Sequence, residues 1–131
     1  WAELGKDKLT NQLKTYGLTS TSMTGLGTSA HDAAIILQRL FDRRELTETH
    51  TNLFLDSMKT QDAKYRRGLP SGFAKSTVYN KVGWNETIEW HDTAIVSLPN
   101  GRSYVVVVLT KNVGHANIAG LGRTLEAKLN Q

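Results

Sequence analysis

A mixed α+β fold is predicted by three observations. Apolar residues recur at helical spacing through roughly the first 60 residues, the pattern turns strand-like between Thr77 and Thr110, and a helical stripe returns from Asn117 to Asn130. Helices, then an antiparallel meander, then a terminal helix would pack as helical layers against a sheet with local connections. A chain of 131 residues fits one domain, large enough to bury about two-thirds of the surface its unfolded form exposes. Residues 1–72 form its helical portion and residues 73–131 its strands and terminal helix.

The first predicted helix covers residues 6 to 16, where Leu9, Leu13 and Tyr16 share one face and Gly17 supplies a stop. Leu18 to Thr28 is rich in Thr, Ser and Gly, with Met23 and Leu26 as its apolar anchors, and reads as an irregular loop. Ser29 is the N-cap of a second helix, and Asp32 three residues on places an acceptor and a negative charge at the helix start. Ala33, Ile36, Leu37, Leu40 and Phe41 follow as a buried stripe, and Arg43 and Arg44 suit the C-terminal dipole. Thr47 and Glu48 open a third helix that carries Leu53, Phe54, Leu55 and Met58 to about Thr60. Gln61 to Gly72, polar and punctuated by Gly68, Pro70 and Gly72, reads as a long loop.

Thr77 to Val82, Thr87 to Leu98 and Ser103 to Thr110 are the three strands, joined at Gly83-Trp84-Asn85 and at Pro99-Asn100-Gly101. The Asn-Gly pair favours the positive φ angles of a tight hairpin. Val105 to Leu109 is an unbroken apolar run, the pattern of a strand buried on both faces. In the last helix Ile118, Leu121, Leu125 and Leu129 share the face that would lie across the sheet.

Composition removes several classes of function. A hydrophobic fraction of 39% and a charged fraction of 21% exclude a disordered or fibrous chain, and no apolar run approaches the roughly 20 residues of a membrane span. Sixteen basic against twelve acidic residues leave a formal charge of +4, but the basic residues are scattered. Only Lys64, Arg66 and Arg67 cluster, read here as a solvated loop, so no nucleic-acid partner is expected. There is no cysteine, which excludes disulfides, thiolate metal sites and Cys nucleophiles. His31, His50, His91 and His115 show no ligand spacing, so neither metal nor cofactor is expected. Ser29, His31 and Asp32 lie too close on one helix start to align as a nucleophile, base and orienting acid, and capping explains Ser29 and Asp32. Trp1-Ala2-Glu3-Leu4 reads as interior sequence, with no signal-peptide pattern.

The chemistry concentrates at Lys81-Val82-Gly83-Trp84, at the exit of the first strand. Lys-x-Gly is a weak motif alone and gains weight from the strand before it and the hairpin and terminal helix after it. In that setting the chain resembles the C-terminal portion of the class A β-lactamase and penicillin-binding-protein-like serine hydrolases, whose third motif is Lys, Thr or Ser, then Gly on a strand lining the active site. Thr28-Ser29-Ala30-His31-Asp32-Ala33-Ala34 looks like the family's entry into a helix, and Gly68-Leu69-Pro70-Ser71-Gly72 like its Leu-Pro-x-Gly segment. His91-Asp92 through Gly101, then Tyr104 to Thr110, look like its last two strands.

The resemblance implies that the chain is a partial domain. Lys81 takes the place of the lysine that helps bind the substrate carboxylate, and Gly83 that of the glycine which lets substrate approach the strand. The Trp84 backbone N–H takes the place of one oxyanion-hole donor. Three departures limit this. Val82 replaces the hydroxyl residue of the motif, neither Ser-x-x-Lys nor Ser-Asp-Asn occurs, and Leu18 to Thr28 has no acidic residue to activate a deacylating water. The implied function is therefore part of a serine hydrolase acting by acyl transfer on β-lactams or D-Ala-D-Ala peptides of peptidoglycan, inactive alone for want of its nucleophile. The alternative is a non-catalytic binding or interaction module of the same fold. Either belongs outside the cell or at its envelope. In the family, strands and a helix from the N-terminal segment complete the sheet, so a homodimer through the surface they would cover is also expected.

Overall fold

The computed structural model describes residues 3–85 and 87–131. Trp1, Ala2 and Glu86 lie outside the described residues, and with them the reading of Trp1-Ala2 as interior sequence. The elements run α1 (Lys6–Thr15), α2 (Ala30–Phe41), α3 (Glu48–Lys59), a 3₁₀ turn (Ala63–Arg66), α4 (Leu69–Gly72), β1 (Thr77–Trp84), β2 (Glu89–Ser97), β3 (Ser103–Lys111) and α5 (His115–Leu129). This is the α+β arrangement that the change of periodicity predicts.

Local chemistry sets most boundaries. Gly17 ends α1 with a left-handed φ of 87°, which costs glycine nothing. The Ser29 hydroxyl accepts from the Asp32 amide at 3.1 Å and starts α2. In the β2–β3 turn only Gly101 takes a left-handed φ, 85°, while the Leu98 amide donates to the Arg102 carbonyl at 2.8 Å. Asn100 instead donates through Nδ2 to the Leu129 carbonyl at 3.1 Å, and Arg102 donates to the Leu129 and Gln131 carbonyls. The turn thus caps α5.

The sheet is antiparallel in the order β1-β2-β3. One face, with Val78, Ala94, Val96 and Leu98, packs on Leu69, Phe73 and Ile118 of the α4 and α5 layer. The other, with Ile95, packs on Leu37, Leu40 and Met58 of α2 and α3. Leu69, Phe73, Ile95, Val96 and Ile118 are essentially sealed from solvent, each worth about 1.5–3 kcal/mol of burial.

Several expectations change. The strand buried on both faces is β2, where Ala94, Ile95 and Val96 are 0% exposed. Val105 to Leu109 are only half-buried because β3 is an edge strand among the described residues. Residues 61–72 are not a long loop but hold the 3₁₀ turn and α4. The Lys64–Arg67 cluster is not merely solvated, since Arg66 donates to the Met58 and Val78 carbonyls at 3.3 Å and to Asn80 Oδ1 at 3.1 Å. Phe41, Leu53, Phe54 and Leu121 are exposed. The buried face of α5 runs through Ile118, Ala119, Gly122 and Glu126, because Gly72 of α4 presses directly on Gly122 and draws that side of the helix inward.

Candidate functional site at the end of β1

Thr77, Val78 and Tyr79 begin β1 with β-branched and aromatic side chains, and the strand persists through Trp84. Alternation sends Asn80, Val82 and Trp84 towards α5 and Tyr79, Lys81 and Gly83 to the opposite face. The register pairs Lys81 with Thr93, Val82 with Asp92, Gly83 with His91 and Trp84 with Trp90. The four residues singled out from sequence therefore share one strand end. Lys81, Val82, Gly83 and Trp84 line a shallow groove of about 260 Å³ with Tyr65.

Lys81 is exposed, and its ammonium donates to the Val82 carbonyl. It stands at the mouth of a larger apolar groove of about 380 Å³ between α2, α3 and the sheet, lined among others by Ile36, Leu40, Phe54 and Met58. Val82 is 5% exposed. Gly83 carries no fold requirement for glycine. Its φ is not left-handed, and a Cβ there would meet nothing nearer than His91 Cδ2 at 3.8 Å.

The side of the strand end facing α5 is aromatic. Tyr65 stacks on Trp84 at 5.4 Å, and Trp84 lies 6.4 Å from Trp90. His115, the first residue of α5, stands edge-on to both tryptophans at 5.4 and 4.7 Å. Its Nδ1 is buried with no partner among the described residues, and burial, aided by Arg67, holds its pKa below the ordinary value.

A second cleft, about 350 Å³, runs between Leu26-Gly27-Thr28 and the Gly83–Asn85 exit, with His91 and Leu109 on its floor. His91 Nδ1 accepts from the Thr110 amide at 3.1 Å, so the neutral imidazole carries its proton on Nε2. The loop beside it is anchored, not loose. Asp32 is 1% exposed, and its Oδ2 accepts from the Ser20 amide and the Thr21 hydroxyl, both at 2.8 Å. Burial alone would raise the Asp32 carboxyl, but the bonds from Thr21 and Ser20 outweigh it and hold the pKa below the usual value. With Ser29 bound to the Asp32 amide and the His31 side chain 81% exposed, Ser29 and Asp32 cap and anchor, as the spacing predicts, His31 is a surface residue, and the three form no triad. No cluster of three or more His, Asp or Glu suited to a metal ion occurs among the described residues.

Sequence reasoning missed the polar pair beneath the strand end. Asn80 and Asp92 are both 0% exposed. Asp92 Oδ1 accepts from Asn80 Nδ2 at 3.0 Å and Oδ2 from the Leu69 amide at 2.8 Å. Burial raises the Asp92 pKa to about 6, against the opposing pull of Asn80, Leu69, Arg66 and Lys81. The signal was present in the alternation, since each takes an inward position between apolar neighbours: Val78-x-Asn80-x-Val82 and Trp90-x-Asp92-x-Ala94. Gly68 makes room for them, because a Cβ there would lie 2.5 Å from Asp92 Oδ2.

Comparison with known proteins returns one family description, "Beta-lactamase enzyme family", matching residues 1–128. Among solved structures, PBP-A is similar with a TM-score of 0.83 and 26% identity, over 95% of this chain and 51% of that one. The TLA-3 extended-spectrum β-lactamase is similar with a TM-score of 0.79 at 16% identity, over 97% of this chain and 56% of its own. A β-lactamase from Chitinophaga pinensis gives 0.77 at 18% identity, over 96% and 54%. The chain thus spans about half the length of the solved structures it matches. No curated protein sequence matches.

Proposed function

Because the chain belongs to the beta-lactamase enzyme family, we propose that it supplies one wall of a serine acyl-transfer site, with the end of β1 as the substrate-binding strand. Gly83 carries this reading. A glycine inside a strand weakens it and marks a close approach by another backbone or a ligand, and neither φ nor packing asks for one here. The bare strand edge would admit an extended acyl group, with the Lys81 ammonium beside it and the Trp84 N–H aimed at the carbonyl oxygen. The substrate class is β-lactams or D-Ala-D-Ala peptides of peptidoglycan, and the setting is extracellular or the cell envelope. No described helix is long and apolar enough to cross a membrane.

The chain holds no Ser-x-x-Lys, so it binds without forming an ester. Incubation with a fluorescent penicillin should give no covalent adduct by intact mass, yet saturable binding by fluorescence anisotropy. Lys81→Ala should weaken that binding about tenfold, the loss of one charge-assisted hydrogen bond. Anisotropy that stays flat, or binding indifferent to Lys81, overturns the reading.

Val82 favours a second reading. Buried and apolar where the family has a hydroxyl, it suits a non-catalytic interaction module. Supplying in trans a separate segment that carries Ser-x-x-Lys and the strands that complete the sheet separates the two: an acylated complex supports the enzyme wall, and association without acylation supports the module.

Self-association belongs to either reading. Leu46, Leu53 and Phe54 are 40%, 64% and 51% exposed beside the large apolar groove, a patch of the kind that marks interfaces. We expect light scattering to give twice the 14.5 kDa chain mass, and a monomer would remove the dimer.

A further inference from the structure

Beneath the groove, Asp92 and Asn80 form a buried hydrogen-bond circuit in which every polar atom has a partner. Asn80 Nδ2 donates to Asp92 Oδ1 at 3.0 Å and to the Tyr65 carbonyl at 2.9 Å. Its Oδ1 accepts from Arg66 Nη1 at 3.1 Å and Gln61 Nε2 at 3.4 Å. That set of partners fixes the amide orientation. The same side chain therefore ties β2 to the 3₁₀ turn, and the turn carries Tyr65 to its stack on Trp84.

The circuit takes up an additional proton only by rearranging. Both Asp92 oxygens face donors, the Leu69 amide and Asn80 Nδ2. A protonated carboxyl must donate, and the acceptor within reach is Asn80 Oδ1, presented by a flip of that amide. The flip turns Nδ2 towards Arg66 and Gln61, themselves donors, and withdraws the hydrogen bond to the Tyr65 carbonyl.

We infer that Asp92 and Asn80 form a proton-operated latch, a positioning pair that holds the Ala63–Arg66 turn, and Tyr65 with it, against the strand end bearing Lys81 and Trp84, and releases it when the carboxyl is protonated. The charges bearing on Asp92 are Arg66 from the turn and Lys81 from β1. Val108, its register partner on β3, and Ile118 of α5, which lies against the same Gly68 that packs on the carboxylate, do not titrate; the titratable group that α5 brings to the neighbouring aromatic cluster is His115, edge-on to Trp84 and Trp90. With the carboxyl raised to about 6, the latch works in mildly acidic conditions. Its effect on ligand binding rests on the groove being the binding wall proposed above, but its mechanism does not.

The test uses the whole chain without ligand, so its outcome is separate from that of the penicillin experiment. NMR from pH 7.5 to 4.5 follows the Asp92 side-chain carbon, the Asn80 side-chain amide and the backbone amides of Tyr65 and Arg66. All four should shift with one shared midpoint near pH 6. In Asp92→Asn the transition read at the Asn80 side-chain amide should vanish, with Tyr65 held at its low-pH position at neutral pH, while a shift arising from His115, edge-on to Trp84, should persist. Should that variant not fold, the wild-type titration decides alone. An Asp92 that titrates while Asn80 and Tyr65 stay still, or one that does not titrate in this range, overturns the latch.

Discussion

Gly72→Ala is expected to be the most damaging conservative substitution in the chain. A Cβ at Gly72 would lie 2.4 Å from the Ala119 carbonyl oxygen, 2.8 Å from Gly122 Cα and 3.0 Å from the Arg123 amide. All three are backbone atoms of α5, so no rotamer change relieves the overlap and the helix must lift from α4. Lifting it unpacks Ile118 from Leu69 and Phe73, the centre of the core on that face. The cost is about 3 kcal/mol or more, set against a total of roughly 5–15 kcal/mol for a small domain. Urea denaturation followed by circular dichroism should show a strongly lowered midpoint or no folded baseline. Gly83→Ala is the control and should change stability little, because its Cβ would make only ordinary contact at 3.8 Å. Equal losses at the two sites would contradict the close crossing at Gly72 and the spare glycine at Gly83 together.

Two buried aspartates give stability an uncommon dependence on pH. The Asp92 carboxyl is raised from 3.8 to about 6, so between those values the folded state binds more protons than the unfolded one. Its contribution is fully present below pH 3.8 and is lost as pH rises through 6, a change of about 3 kcal/mol. Asp32 acts in the opposite sense. Its carboxyl is lowered, so its contribution is present above pH 3.8 and disappears as pH falls further. Stability from this pair should peak just below pH 4 and decline as pH rises from there. Thermal melts of the wild type and of Asp92→Asn at pH 4.5 and 7.5 check this: the wild type should melt higher at pH 4.5, and the variant should lose most of that difference. A wild type more stable at pH 7.5, with the variant unchanged, would show that the Asp92 charge is compensated within the fold.

The helices and the meander were legible because their signals are local. Ser29 caps, Gly17 stops, and β1 alternates between buried and more exposed residues as the sheet requires. Burial was less legible, because it depends on what lies across from a residue. The run Val105 to Leu109 looks like an interior strand, yet β2 takes that place and β3 the edge. Likewise α5 turns Gly122 inward and leaves Leu121 exposed, since the approach of Gly72 and not hydrophobicity sets its rotation. At the site, Lys81 to Trp84 could be read as a contiguous motif. Tyr65, Arg66, Asn80 and Asp92 could not, since they meet only through bonds spanning 12 to 15 residues.

The position of β3 also bears on handling. Tyr104 to Leu109 is six residues of β-branched, aromatic and aliphatic character with no charge, proline or glycine, the composition that stacks into cross-β ribbons. Natural edge strands are usually blunted by a lysine, a proline or a bulge. Here the flanking Arg102 and Lys111 are the only gatekeepers, one at either end. Beside the exposed patch on α3, this strand is therefore a second place where copies can associate at high concentration, and a charge placed at its solvent edge is the change expected to oppose it.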